Sequence, residues 1–454
     1  MKTKNSILLI LFIALLLRLV SVNQSLWMDE AISAVVVKNY SLLEIITRFA
    51  PADTHPPLYY MMLRLWTLVF NYSEISLRFP SVIFGVLTVF IVYKIGEKFS
   101  KKTAIYSTLL TSIAPLLIYY SQEARMYSLS TLLTAMVVLI FLKKQWLTLS
   151  VLILLLAMTD YLPLLVLLPF WIYLVSFERN KKNILKFIKA SIPTIIFIMF
   201  WFPTFLKQSL STSSYLTRFP AWEKVLGTAS IKDLLLVWVK FILGRIDFEN
   251  INIYLLIIVM ATIVFCIPLY YSIIRYKKIA ILWLWLIMPV LLAFLGAFFI
   301  PGFSYFRLIF VLPALYILVS YGISEMKYGK IFIIIIIFMN LSFSLIYLLN
   351  SKYWREDWRN SVTFIENRLK NDEVILVSYP EPFTPYVWYS KKDSIYSFNT
   401  DLAVQKGGIF TLDYLMDLTD PNRENYEKLE EIGFKNKEVY NFRGVGQIRY
   451  WTKN

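Results

Sequence analysis

The chain has 454 residues, of which 58% are hydrophobic, 17% aromatic and only 17% charged. Ordinary globular proteins are roughly 45–50% apolar. The composition therefore excludes disorder, a collagen-like fibre and a soluble multidomain enzyme, and indicates a polytopic membrane protein. One cysteine and one histidine exclude a disulfide framework, a thiolate cluster and a His-rich metal site. The net charge of +16 would suit nucleic acid if it were gathered in one patch, so its location decides its meaning.

A helix needs about 20 mostly apolar residues to cross a roughly 30 Å hydrocarbon core. Eleven stretches meet or approach this: 6–22, 81–97, 103–120, 127–142, 145–160, 161–176, 190–206, 251–274, 279–300, 305–323 and 331–349. The first carries Arg18 and lacks a clear small-residue cleavage site, so it reads as a span rather than a cleaved signal peptide. Leu58–Phe70 and Leu234–Leu243 are shorter and contain Arg64 and Lys240. A mid-bilayer arginine or lysine costs about 2.5–3.5 kcal/mol, so both segments are expected to lie in the interface or re-enter it.

Charge orients the bundle. With the N-terminus in the cytoplasm and only the eleven stretches crossing, the inside segments hold eighteen lysines and arginines. They run from Lys2 and Lys4 through the 179–189 loop to Lys327 and Lys330, opposed only by Glu97, Glu178 and Glu325. The inside then carries +15 and the rest of the chain +1. That split is the positive-inside rule, so nucleic acid is not expected as a partner. The first loop (23–80), the 207–250 loop and everything after residue 350 are expected outside.

The tail changes character at Lys352-Tyr353-Trp354-Arg355-Glu356-Asp357-Trp358-Arg359. A helical pattern reaches Leu369, strands are expected at 374–379, 408–412, 438–442 and 447–451, and a helix at 422–431. The expected architecture is a polytopic α-helical membrane protein of about eleven transmembrane helices plus interfacial helices. A transmembrane catalytic part would span 1–350, and a small C-terminal α/β extracytoplasmic domain 351–454.

Polar residues gather at the outer ends of the spans. Asp29-Glu30 follows the first span, and Asp53-Thr54-His55-Pro56-Pro57 comes later in the same loop. Adjacent carboxylates there can take a proton from an attacking hydroxyl, bind a metal with His55, or face water as plain loop charges. Tyr119 to Tyr127 makes the outside turn between the third and fourth spans. Glu123 and Arg125 there either pair with each other or serve the same site as Asp29. Arg78 and Arg307 stand at outer ends of spans, where arginine can snorkel to headgroups or hold a phosphate. Asp160 is a weaker candidate, and Arg18 has no evident role. No comparable polar set lies at mid-membrane, where a secondary transporter carries its substrate.

These strings, in this order and on one face, resemble the GT-C superfamily of integral-membrane glycosyltransferases. The nearest branch holds the protein O-mannosyltransferases and the lipid A aminoarabinose transferases. The resemblance rests on Asp29-Glu30, His55-Pro56-Pro57-Leu58, Arg78-Phe79-Pro80-Ser81, Ser121-Gln122-Glu123-Ala124-Arg125-Met126-Tyr127 and, in the tail, Asp357-Trp358-Arg359. It implies transfer of a monosaccharide, with inversion, from a polyprenyl-phosphate donor to a hydroxyl of a lipid, glycan or protein acceptor on the outer face of a cell membrane. It also implies Asp29 as the base with Glu30 assisting, and Glu123 as a further acidic site residue. Substrate contacts would come from His55, Arg125 and Tyr127, with Arg78 and Arg307 on the phosphate. Relatives differ in metal use, so a divalent cofactor stays open, with Glu30 and His55 as its candidate ligands. The rival activities are a lipid-linked glycan flippase or transporter and a surface-glycan polymerase or ligase.

Overall fold

The structure is a computed structural model describing residues 2–453. All eleven apolar stretches are largely helical, the first of them being helix α1, Lys2–Leu19. Five helices are long and apolar enough to cross a membrane alone: Glu74–Gly96, Lys181–Arg218, Ile251–Ile274, Tyr276–Gly296 and Gly329–Leu349. A bent pair, Lys101–Ser112 with Pro115–Ser121, adds a sixth if it forms one span. The remaining stretches form shorter apolar helices, so the structure supports at least five spans rather than a fixed eleven. Lys181–Arg218 runs for 38 residues, well past the 206 boundary expected from apolarity. At 1.5 Å per residue it is about 57 Å long, far more than a bilayer core.

The bend of 57° has a local cause. Pro115 cannot donate a backbone hydrogen bond, and it disfavours helix at Ala114. The carbonyls freed at the break are taken up by side chains from elsewhere. Arg18 Nη1 donates to Ser112 O at 3.0 Å, and Ser344 Oγ donates to Ile113 O at 2.9 Å. Arg18 Nε also donates to Ser121 Oγ at 3.1 Å, and the side chain is wholly buried. Gly85 makes the room: a Cβ there would stand 2.1 Å from Ser121 Oγ and 2.8 Å from Arg18 Nε.

Leu58–Phe70 is one helix with the boundaries read from the sequence. Arg64 turns inward, donating to Val37 O at 2.6 Å and to the Tyr72 hydroxyl at 2.7 Å. Leu65, Leu68, Val69 and Phe70 are exposed on the other side. A short amphipathic helix of this kind suits the interface. It packs on helix α2, Met28–Asn39, which carries Asp29 and Glu30 in its first turn.

The C-terminal domain is built on a five-stranded sheet ordered β2-β1-β3-β5-β4. The strands are β1 Glu373–Val377, β2 Ile395–Ser397, β3 Gly408–Leu412, β4 Phe434–Phe442 and β5 Gly446–Lys453. β1 pairs in parallel with β2 and β3, whereas β5 runs antiparallel to β3 and β4. Along β1, Ile375 and Val377 join the core with Trp358, Val362 and Phe410, while Val374 and Leu376 join Ile409, Leu429 and Trp451 on the opposite face. Burial on both faces explains the continuous apolar run, as in most parallel sheets. The three-residue β2 carries too little pattern to be read from sequence.

Candidate active site

Adjacent helical residues point about 100° apart, so Asp29 and Glu30 part company. Glu30 is wholly buried. Arg78 grips it as a fork, with Nε to Oε1 at 2.7 Å and Nη2 to Oε2 at 2.5 Å. The Ala124 amide donates to Oε1 at 2.8 Å, and Arg355 Nε lies 3.7 Å from Oε2. Burial works against the charge, but Arg78 and Arg355 outweigh it and hold the Glu30 carboxyl below its ordinary value. Three of the roughly four lone-pair sites of this carboxylate are thus occupied, and the whole group is locked in place.

Arg78 is committed in the same way. Its remaining N–H groups donate to Val22 O at 2.7 Å, Gln24 O at 2.5 Å and Ser25 O at 3.0 Å. With both bonds to Glu30, all five guanidinium donors are engaged. Arg78 therefore ties Glu30 to the strap that leads into α2 and keeps no donor free. The helix-spaced neighbour Glu74 pairs with Arg359 instead, at 2.6 Å.

Asp29 has the opposite setting. Its side chain is 36% exposed, and Arg125 Nη2 lies 3.7 Å away. Among the described residues its carboxyl accepts no hydrogen bond, which leaves it available to a substrate hydroxyl. Arg125 is buried and donates to the Tyr60 hydroxyl at 2.9 Å. Tyr60 in turn donates to Asp53 Oδ2 at 2.8 Å, and His55 Nδ1 stands 3.5 Å from the same oxygen. Burial opposes the Asp53 charge, but His55 and Arg125 hold its carboxyl well below the usual range. His55 thus reaches Asp29 only through Asp53, Tyr60 and Arg125.

Glu123 is wholly buried, with Oε2 accepting from Arg355 Nη1 at 3.0 Å and Oε1 without a partner. Burial pushes it up to about 7, and Glu30 adds to the shift while Arg355 opposes it. Tyr127 stacks edge-on against Tyr120 and Phe306, at 5.3 and 5.6 Å between ring centres. Arg307 follows Phe306 and is only half-buried. Among the described residues its guanidinium makes no hydrogen bond or ion pair, and its Nε is a buried donor without an acceptor. Tyr127 feels the charges of Arg125, Asp29, Glu123 and Arg307 together.

Two arginines join the site without having been expected there. Arg355, from the start of the tail, donates to the Tyr119 hydroxyl at 3.1 Å and to Gln122 O at 3.0 Å besides its contacts with Glu123 and Glu30. Arg245 follows the C-terminal Gly244 of the Ile231–Leu243 helix and donates to the Tyr119 hydroxyl at 2.5 Å. It is solvent-accessible and acts electrostatically on Tyr120, Tyr305 and Glu123. The charged string at the start of the tail stands out in the sequence, but nothing local singles out Arg355 or tells which carboxylate it meets.

The two metal candidates do not come together. Both Glu30 oxygens are engaged, and His55 Nδ1 faces Thr54 Oγ1 at 3.0 Å and Asp53. Among the described residues no group of three or more His, Cys, Asp or Glu side chains is placed to hold an ion. These residues do not fit a resident divalent metal.

The dolichyl-phosphate-mannose-protein mannosyltransferase family matches residues 54–205. In three dimensions the chain resembles ArnT from Cupriavidus metallidurans with a TM-score of 0.62 and 11% identity, covering 99% of this chain and 98% of that one. ArnT bound to undecaprenyl phosphate gives 0.61 at 11% identity, covering 98% and 97% of the two chains. The chain has the GT-C fold. An oligosaccharyltransferase from Archaeoglobus fulgidus, solved with Zn and sulfate, shares this GT-C architecture at a TM-score of 0.57 and 10% identity, over 98% of this chain and 72% of that one. None of the curated proteins compared with the chain matches it by sequence. The GT-C similarity read from the motifs thus holds over the tail as well as the membrane part.

Proposed function

We propose that the protein is a membrane glycosyltransferase that moves a monosaccharide from a polyprenyl-phosphate donor to an acceptor hydroxyl at the outer face of a cell membrane. The observation that carries this reading is the unpaired guanidinium of Arg307, placed with the open carboxylate of Asp29 around Tyr127. A cation with free donors and a carboxylate with open lone pairs match the two demands of the reaction.

Asp29 accepts the proton of the acceptor hydroxyl as its oxygen bonds to the anomeric carbon. The bond from that carbon to the phosphate oxygen breaks, its electron pair leaves with the phosphate, and the sugar inverts. Arg307 stabilises the charge that grows on the leaving phosphate. Arg125 holds the Asp29 carboxylate from one side and leaves its other lone pairs open. The polyprenyl tail dissolves in the bilayer. ArnT has been solved with undecaprenyl phosphate, which supports this class of donor. The acceptor is a lipid, glycan or protein hydroxyl, and the termini are oriented with the N-terminus inside and the C-terminal domain outside.

The test supplies purified protein with a panel of undecaprenyl-phosphate monosaccharides and measures release of undecaprenyl phosphate. Consumption of one donor, lost in Asp29→Asn, supports the reading. Failure to consume any of them, together with movement of a lipid-linked glycan between leaflets, would favour a flippase instead.

A further inference from the structure

Helix α2 starts without a side-chain cap of its own: Trp27 occupies the N-cap and makes no such bond. An uncapped helix start exposes several backbone N–H groups and a partial positive charge. The residues before it, Asn23 to Trp27, lead out of a turn, form no regular element and are gripped by the beginning of the C-terminal domain. The Arg355 amide donates to Gln24 Oε1 at 2.8 Å and the Arg359 amide to Ser25 Oγ at 3.1 Å. Arg359 Nη2 donates to Asn23 O at 3.0 Å.

Between these contacts sits Glu356. Its Oε2 accepts from Trp358 Nε1 at 2.6 Å and its Oε1 from the Tyr414 hydroxyl at 2.9 Å. Met28, the first residue of α2, packs against the domain core that contains Trp358, the side chain Glu356 holds, and its amide faces the same carboxyl. The turn between β4 and β5 fixes the segment from behind. The Asp357 amide donates to Arg443 O at 2.8 Å, and Arg443 Nε donates to Arg355 O at 3.0 Å. Gly444, at φ +74°, comes so close that a Cβ there would stand 2.7 Å from Glu356 Cγ. One arm of this dipeptide, Arg355, reaches Glu30 and Glu123; the other, Glu356, reaches the start of α2.

We propose that Arg355 and Glu356 are positioning residues: a two-armed strut through which the C-terminal domain caps α2 and holds Asp29 in register with the rest of the site. The proposal rests on the glycosyltransferase reading only for the importance of Asp29. The strut itself is a matter of contacts. It makes the C-terminal domain part of the active centre, because the helix bearing the base has its cap on a different domain.

The experiment uses the full chain in detergent and follows amide hydrogen exchange in peptides covering 26–32 and β1, with undecaprenyl phosphate binding as a separate readout. Glu356→Ala is expected to speed exchange at the start of α2 about five-fold, the rate equivalent of a lost helix cap. Protection of β1 and affinity for undecaprenyl phosphate should stay at wild-type levels. Glu356→Gln keeps the shape and one acceptor oxygen and is expected to restore most of the protection. Unchanged exchange at 26–32 in Glu356→Ala would overturn the strut. Equal loosening of 26–32 and β1 in both variants would also overturn it, since Glu356 would then serve only the domain's own fold. A wild-type protein that fails to bind undecaprenyl phosphate counts against the donor reading, while the exchange result still decides the strut.

Discussion

Asp29 and Glu30 are neighbours in sequence with opposed environments, and substitutions should separate them. Asp29→Asn keeps the size and leaves every observed hydrogen bond in place, so the melting temperature is expected to hold. Turnover with whichever donor the panel reveals should fall by about 10²–10⁴-fold, the usual share of a general base. Glu30→Gln leaves Arg78 buried without its counter-ion, which costs about 3–5 kcal/mol in such settings. It is expected to lower the melting temperature sharply or to prevent folding, as read by thermal unfolding and gel filtration. The two arginines proposed at the outset divide similarly. Arg307→Lys should weaken donor affinity and turnover at normal stability, because lysine loses the planar fork. Arg78→Lys should destabilise the protein, because five fixed bonds cannot be remade by an ammonium group. The outer-end position of both arginines was legible in the sequence. Which had its donors free was not, since Arg78 meets carbonyls more than fifty residues away.

Burial also sets a pH dependence at this scale. It pushes Glu123 and Glu356 up to about 7. A carboxyl that holds its proton more tightly when folded stabilises the fold fully below its unfolded value, and that contribution is lost as pH rises through 7. The melting temperature is therefore expected to fall between about pH 5 and pH 8. Glu123→Gln cannot ionise and should flatten part of the fall, as thermal scans across that range would register.

At the scale of elements, the bent helix shows what a local signal can and cannot say. Pro115 announces a break near residue 114, yet the stretch 103–120 reads as one continuous apolar span. The break is tolerable in a membrane because Arg18 and Ser344 cover the freed carbonyls, in keeping with the rule that backbone groups at that depth must be satisfied internally. This gives Arg18 the role that its sequence position left unassigned. Gly85→Ala should force Ser121 and Arg18 apart and cost about 1–3 kcal/mol, typical of overpacking. Thermal unfolding of the purified protein would measure it. Arg64 illustrates the complementary case: a charge in a short apolar helix suggests an interfacial element, but its acceptors, Val37 O and the Tyr72 hydroxyl, are visible only in the fold.

For the whole molecule, the charge split predicts sidedness. In a Cys266→Ser background, a membrane-impermeant thiol reagent added to intact cells should modify a cysteine at Lys437 and spare one at Lys182. Both positions are exposed on the protein surface, so the membrane alone makes the difference. The 121–127 turn is unsuitable for such labelling because every residue in it is buried. Modification at Lys182 in sealed cells would reverse the orientation. The sequence by itself determined the class of protein, the helical stretches, the α/β tail and the face on which polar residues gather. Those features follow from local apolarity, periodicity and charge, which any short window carries. Only the tertiary structure decided that Glu30 and Arg78 form a closed pair, that Arg307 stays open, and that Arg355 and Glu356 reach back into the membrane part. These are contacts between segments as much as three hundred residues apart, and a side chain's free donors are known only once all its neighbours are in place.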